Sequence, residues 1–137
     1  MKTKKYEFLD HTADIKFRAY GKSLEKIFEN AALAISEILS RGKKVETPIV
    51  KRIEMNGKDN ESLLHDFIDE IIYLMDAEHF IISKAKIKIE GKKLNAVIYG
   101  DDVLKYPGAD HIKAATYSEM FVKKIGKIWE AQVVVDV

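Results

Sequence analysis

The stretch FLDHTADI, residues 8–15, concentrates side chains that could do chemistry near the start of the sequence. It places Asp10, His11 and Asp14 within five residues, a spacing that fits neither the alternation of a strand nor the apolar stripe of a helix. Two carboxylates can bind a hard cation, and an imidazole can transfer a proton. The same side chains can instead make turn or cap hydrogen bonds in a polar loop, which the local sequence alone favours.

A second group of oxygen ligands lies at the other end of the sequence. The apolar run VVV precedes Asp136, and Val137 follows it. A strand that stays apolar this far is expected to be docked in a sheet, which would hold the Asp136 side chain close to the Val137 carboxylate. Like charges held together repel unless a cation neutralises them, so a Ca²⁺ or Mg²⁺ site that also includes Asp14 is one hypothesis. The alternative is that Asp136 is a solvated terminal charge.

Lys113 is a third candidate, in the segment HIKAATY. Alternation predicts a strand here, with Lys113 on a face of small and apolar side chains. The lysine could bind a phosphate or a carboxylate, although a charge that protects an edge strand is the favoured interpretation. Two other features are predicted to be structural: His65 and Asp66 as exposed helix positions, and Tyr117 as a core or interface aromatic.

The composition narrows the class of protein. The 137 residues suit one domain, and 47% hydrophobic residues are enough for a single core. The 23 basic residues are nearly balanced by 22 acidic ones. Strong nucleic-acid binding through bulk charge is therefore not expected, although local basic patches are not excluded. The absence of cysteine excludes disulfides and thiol nucleophiles, and the four histidines lack zinc-ligand spacing. With no secretory or membrane-spanning apolar run, we expect a cytoplasmic protein without membrane attachment.

Hydrophobic periodicity predicts the elements that must position these side chains. Two segments have helical spacing: SLEKIFENAALAISEILS, with Ser23 as its N-cap, and ESLLHDFIDEIIYLMDAEH, with Asn60 as its N-cap. About seven other segments read as strands, and turns at Gly91 and Gly126 join the later ones into hairpins. The predicted fold class is α+β, a single domain over residues 1–137 with two amphipathic helices packed on a mostly antiparallel sheet.

Four segments together resemble the archease family, in order and spacing and over nearly the whole sequence: YEFLDHTADIKFRAYGKSLEKIFENAALAI, SLLHDFIDEIIYLMD, IKAATYSEM and VVVDV. The DHTAD motif, the KAxTY segment and the final Asp with an aliphatic residue are the specific parts. The resemblance implies the archease fold and a protein that is not itself an enzyme. It implies a protein cofactor for RtcB, the GTP-dependent tRNA-splicing ligase, which promotes guanylylation of the ligase and multiple turnover.

The resemblance also implies site residues. The family's divalent-cation site, for Ca²⁺ or Mg²⁺, corresponds to three positions here: Asp14, Asp136 and Val137. Three further motif positions are expected to lie at the same end of the molecule as the cation site and to act in ligase activation: Asp10, His11 and Lys113. Ala115 stands where the family often has a larger aliphatic residue, a difference expected to affect packing only.

Other functions are left open by the residues alone. A free-standing metal-dependent hydrolase would use the same carboxylates, but no general base with a partner is evident. A chaperone-like module that binds RNA-processing or tRNA-modifying enzymes is a second alternative, and a structural subunit of an RNA-processing complex is a third. We expect a monomer or a weak homo-oligomer.

Overall fold

The computed structural model describes residues 4–137 as two antiparallel sheets and two long helices. Sheet A contains, in spatial order, β1 (Tyr6–Leu9), β2 (Ile15–Gly21), β7 (Ile128–Asp136) and β6 (Ala114–Ile125). Sheet B contains β3 (Ile49–Asn56), β5 (Lys93–Asp102) and β4 (Phe80–Glu90). The helices are α1 (Leu24–Ser40) and α2 (Asn60–Glu78), with a short 3₁₀ helix at Val103–Lys105.

The predicted α+β class, with two helices on antiparallel strands, is confirmed, but the strands form two sheets where one was predicted. Each helix packs against both sheets: α1 contacts β2 and β4, and α2 contacts β6 and β4. The three strands that follow α1 in sequence, β3, β4 and β5, form sheet B. The chain returns to sheet A at β6. No helix within residues 4–137 is both long and apolar enough to cross a membrane.

The hydrophobic core lies where the helices meet the two sheets. Phe28 of α1 and Phe67 of α2 are fully buried, with ring centroids 6.0 Å apart. Side chains that alternate along the strands supply the rest, including Phe17 and Val133 from sheet A and Ile98 from sheet B. Burying a side chain of this size contributes about 1.5–3 kcal/mol to stability. The apolar residues of each strand therefore determine which of its two faces is directed at the core.

The helix starts show how local sequence sets the boundaries. Ser23 caps α1 as predicted, since its hydroxyl accepts the Lys26 N–H at 3.1 Å. The predicted cap of α2 is wrong by one residue, because Asp59 precedes the helix and Asn60 begins it. The Asp59 carboxylate accepts the Ser62 N–H at 2.8 Å, and the Ser62 hydroxyl accepts the Asp59 N–H at 3.2 Å. This reciprocal capping box selects Asp59 over its equally suitable neighbour.

The two predicted hairpin turns are confirmed. Glu90 pairs with Lys93 in the β4–β5 hairpin, and Ile125 pairs with Ile128 in the β6–β7 hairpin. The first residue of each two-residue turn is a glycine with φ of +61°, Gly91 or Gly126. Two-residue turns that match the twist of the strands need such a φ, which glycine adopts without a Cβ clash.

Candidate functional site

Asp136 ends β7 at one end of sheet A, and Asp14 is the residue immediately before β2, the strand that pairs with β7. This end, consisting of residues 10–14, 113–114 and 136–137, is called the tip below. Ile15 of β2 pairs with Val135 of β7, and one step outward along these strands come Asp14 and Asp136. The register therefore brings the backbones of Asp14 and Asp136 near each other, and a cation site shared by the two carboxylates stays a prediction.

The carboxylates at the tip suit a hard cation. Polar contacts here engage His11, Lys16 and Glu119, and within residues 4–137 none engages the carboxylate of Asp14 or Asp136. The donor set is oxygen only, and a cation would relieve the repulsion between the two charges. No group of three or more His, Cys, Asp or Glu side chains in the described chain could hold a metal. A cation would therefore also need a main-chain oxygen of Val137, or water.

Lys113 lies beside the carboxylate pair but outside β6. Its N–H donates to the Asp136 carbonyl at 2.8 Å, and β6 begins with Ala114, which pairs with Asp136. The predicted strand alternation across this segment is wrong, because Ile112 and Ala115 are both buried while Lys113 is exposed. The preceding loop inserts Ile112 into the core before the strand starts. The lysine side chain is thereby left at the tip, in solvent.

The loop from Asp10 to Asp14 turns sharply before β2. The Asp14 N–H donates to the Thr12 carbonyl at 2.7 Å, and Ala13 between them has φ of 64°. A γ-turn with positive φ is rare and strained, particularly at a residue other than glycine. Within residues 4–137, the carboxylates of Asp10 and Asp14 make none of the turn or cap bonds that the local sequence favoured. They stay free for a ligand.

His11 is held by two hydrogen-bond acceptors. Its Nε2 lies 2.9 Å from Glu119 Oε2, and its Nδ1 lies 3.1 Å from the Thr12 carbonyl oxygen. Both bonds form at once only when both ring nitrogens carry protons. Lys16 Nζ lies 3.5 Å from the other Glu119 oxygen. The hydrogen bond from His11, followed by the charge of Lys16, lowers the pKa of the Glu119 carboxyl below its ordinary value.

A bulge in β6 brings Glu119 to this position. Thr116 pairs with Val134 and Phe121 with Gln132, so residues 117–120 of β6 bulge out between these two pairs. The bulge is held by the Gln132 side-chain amide, which donates to the Glu119 carbonyl at 2.7 Å. Sequence reasoning missed Glu119, because residues 111–124 read as one continuous strand. The only signal is the polar pair of residues 118–119, which interrupts the alternation.

Helix α2 supports the start of β6 from the core side. Asp69 Oδ1 accepts the Ala115 N–H at 2.8 Å, and His65 Nε2 lies 3.1 Å from the Ala115 carbonyl oxygen. The His65 ring also stacks on Tyr117, with centroids 4.1 Å apart and an interplanar angle of 5°. The prediction that His65 is exposed is therefore wrong, whereas Asp66 is exposed. Burial, followed by the nearby Asp66 carboxylate, raises the pKa of Tyr117.

Replacing Glu119 with glutamine is expected to lower the melting temperature at neutral pH but not in acid. The pKa of Glu119 lies below its ordinary value of 4.5, so its charged form stabilises the folded chain above pH 4.5. That stabilisation is lost as the pH falls through the lowered pKa. Melting curves of the two proteins should therefore differ at about pH 7 and converge near pH 3.

Glu90→Gln is the matched control for Glu119→Gln, since Glu90 pairs with Lys88 at 3.2 Å on an exposed strand. It should change the melting temperature little, because exposed pairs contribute little to stability. A Glu119→Gln deficit that is equally large in acid would contradict the assigned role of the charged carboxylate.

Comparisons with known proteins identify relatives that align with nearly the whole chain. Residues 6–137 match the Archease protein family. The archease of Methanosarcina barkeri is 38% identical over 141 residues, covering 98% of this chain and 97% of that protein. The archease of Pyrococcus abyssi is 39% identical over 142 residues, covering 98% of this chain and 99% of that protein.

Two solved structures share the fold. The solution structure of a Methanobacterium thermoautotrophicum protein has a TM-score of 0.82 and 36% identity, and the alignment covers 97% of this chain and 99% of that one. The crystal structure of a Thermotoga maritima archease, described as a possible chaperone, has a TM-score of 0.66 and 24% identity. That alignment covers 100% of this chain and 98% of the other.

Proposed function

Because this chain belongs to the archease family, we propose that it is a protein cofactor of RtcB, the GTP-dependent tRNA-splicing ligase. In this role it promotes guanylylation and multiple turnover of the ligase, and it is not an enzyme itself. The observation that supports the proposal most directly is the position of Asp14 and Asp136 just beyond the paired residues Ile15 and Val135, with no hydrogen-bond or ion-pair partner for either carboxylate within residues 4–137.

The tip would present a bound divalent cation to the ligase. Asp14, Asp136 and a main-chain oxygen of Val137 would hold Ca²⁺ or Mg²⁺ there. The cation would supply positive charge for phosphate oxygens, on which charge develops in nucleotidyl transfer. Lys113 adds a second positive charge at the same end, with no carboxylate within 4 Å in the described residues. Asp10 is exposed at the rim of the tip, where it can contact the ligase.

The hydrogen bonds of His11 argue against a free-standing hydrolase at the tip. A general base needs a nitrogen that can accept a proton from water or substrate. Both nitrogens of His11 already face acceptors, the Thr12 carbonyl and the Glu119 carboxylate. His11 is therefore better suited to hold the loop against the β6 bulge than to carry out catalysis.

The test is the turnover of RNA-end joining by the cognate ligase, with the ligase sub-stoichiometric to RNA and with GTP and a divalent cation present. Wild-type protein is expected to stimulate turnover, and Asp136→Asn is expected to lose most of the stimulation. Asp76→Asn, which removes an exposed carboxylate near the far end of α2, is the matched control and should stimulate fully. No stimulation by the wild type would overturn the cofactor role, and full stimulation by Asp136→Asn would overturn the role of the tip.

A chaperone-like module is the second candidate, because the Thermotoga maritima relative is described as a possible chaperone. The most exposed large apolar side chain, Leu104 at 74%, lies on the short 3₁₀ helix, and the others come from several different elements, which gives this candidate little structural support. Suppression of the aggregation of unrelated proteins, retained by Asp136→Asn, would favour it over ligase activation.

A further inference from the structure

The outer face of sheet B, which points away from the helices, is basic and uncovered. Side chains such as Ile53 and Ile87 alternate toward the helices, and their neighbours along each strand point outward. The exposed charged side chains of this outer face are Arg52, Lys84, Lys86, Lys88, Lys93, Glu54 and Glu90. Five cations thus face two carboxylates in a protein whose formal net charge is only +1.

Both carboxylates on the outer face are already paired. Lys93 Nζ lies 3.0 Å from Glu54 Oε1, and Lys88 Nζ lies 3.2 Å from Glu90 Oε1. Within residues 4–137, the other three cations have no carboxylate within 4 Å; they are Arg52, Lys84 and Lys86. Their charge is compensated only by solvent ions, which an incoming polyanion would release.

Two of these three cations, Arg52 and Lys86, line a trough. Arg52, Val97 and Lys86 form one row across the three strands. The trough, about 550 Å³ in volume, runs between this row and the next, in which Asn95 lies between Glu54 and Lys88. The groove is therefore bordered by three cations, Arg52, Lys86 and Lys88, by the Asn95 amide, and by the Glu54 carboxylate, which is paired with Lys93.

An aromatic ring lies on the other side of the first row. Tyr99 pairs with Lys84, whose Nζ is 5.5 Å from the centroid of the tyrosine ring. An irregularity in β4 at Ser83 shifts the register, which turns Lys84 to the outer face. The face consequently offers a half-buried ring flanked by three cations.

We propose that the outer face of sheet B binds single-stranded RNA, with Arg52 and Lys86 contacting phosphates and Tyr99 stacking on a base. Open sheets that combine cations with aromatic rings recognise single strands in this way, since phosphates need charge and every base has a flat face. An anionic lipid surface or an acidic peptide would use the cations but has no need of the ring. The proposal does not depend on ligase activation, because it concerns a face outside the tip.

The binding should be weak and dependent on salt. Each phosphate contact on a single strand contributes about −0.7 to the slope of log affinity against log salt, so two contacts imply a loss of about 7-fold between 50 and 200 mM salt. This expectation is compatible with the near-neutral total charge, which supplies no long-range attraction of its own.

The test is fluorescence anisotropy with a labelled single-stranded RNA of about 12 nucleotides, at a salt concentration of about 50 mM. The double variant Arg52→Ala/Lys86→Ala should bind about tenfold or more weakly, with the salt slope reduced by about 1.4. Tyr99→Leu should also lose about tenfold, while Tyr99→Phe keeps the ring and should bind like the wild type. Lys43→Ala/Lys44→Ala, two exposed lysines between α1 and β3, is the control for charge and should change affinity little.

The proposal is overturned if the wild type does not bind this RNA, or if the control loses as much affinity as Arg52→Ala/Lys86→Ala. It is also overturned if inorganic polyphosphate, an acidic peptide or phosphatidylserine vesicles bind as well as RNA and Tyr99→Leu has no effect. Melting curves identify any variant that fails to fold, in which case the single-charge variants Arg52→Ala and Lys86→Ala carry the test. Asp136→Asn should bind RNA like the wild type, so failure of the ligase role and failure of this proposal are distinguishable.

Discussion

Asp136→Asn is expected to lower the affinity of the protein for Ca²⁺ by about 100-fold or more, since a ligand charge is lost from a site with few protein ligands. Asparagine keeps the size of the side chain and one oxygen, so the fold should persist. Asp14→Asn should have a comparable effect. Because Asp14 lies in the loop before β2 and Asp136 at the end of β7, matching losses would show that one cation bridges the loop and the strand.

Isothermal titration and melting curves measure this effect independently of any ligase. A ligand present at 100 times its Kd stabilises a folded protein by about 2.7 kcal/mol, which raises the melting temperature of a chain of this size by about 8 °C. The wild type and Asp76→Asn should show the shift in Ca²⁺, whereas Asp136→Asn should not at the same concentration. An equal shift in all three proteins would place the cation elsewhere, and no shift in the wild type would remove the site. Competition with Mg²⁺ then distinguishes the two candidate cations.

The parts of the fold with strong local signals could be predicted from sequence. Apolar spacing identified both helices, and Gly91 and Gly126 identified the hairpin turns, because these signals act over a few residues. The division into two sheets could not be predicted in this way. Which strand pairs with β3 depends on where the helices pack, and nothing local to residues 49–56 specifies that β5 is its neighbour.

The candidate site likewise has features that the local sequence predicts and features that it does not. The docking of the last strand was expected from the apolar run before Asp136, and Val133, Val134 and Val135 are indeed buried in β7. The partner of His11 was not, since Glu119 is 108 residues away and reaches it only through a bulge. The burial of His65 was also missed, because it results from stacking on Tyr117. Contacts made by tertiary structure leave no periodic trace in the sequence.

Backbone strain is concentrated around the tip. Four residues other than glycine have positive φ in the described chain: Ala13, Arg41, His79 and Glu119. Arg41 and His79 end the two helices in the left-handed conformation that is common there. Ala13 and Glu119 have no such explanation, yet they lie on either side of His11, which is bonded to both segments. Strained backbone persists only where the surroundings hold it, so the tip is a stiff platform suited to presenting ligands at fixed positions.

Gly100→Ala is expected to destabilise the protein by about 3 kcal/mol or more, a loss of roughly 10 °C in melting temperature. Gly100 lies in the middle of sheet B, paired with Ile49 on one side and Ile82 on the other. A Cβ atom there would clash with the Ile81 carbonyl oxygen and would lie 2.7 Å from Cζ of the buried Phe80. Neither group can withdraw, because one is backbone and the other is fixed in the core.

Gly91→Ala is the control for Gly100→Ala, because it tests strain without a clash. A Cβ at Gly91 meets nothing within 4 Å, but the residue has φ of +61°, so the change should cost about 1 kcal/mol. Chemical denaturation would measure both. A Gly100→Ala loss no greater than the Gly91→Ala loss would contradict the close packing of β4 on β5. Since Gly100 is not part of the tip, the folded fraction of Gly100→Ala should bind Ca²⁺ like the wild type, which separates damage to the core from damage to the site.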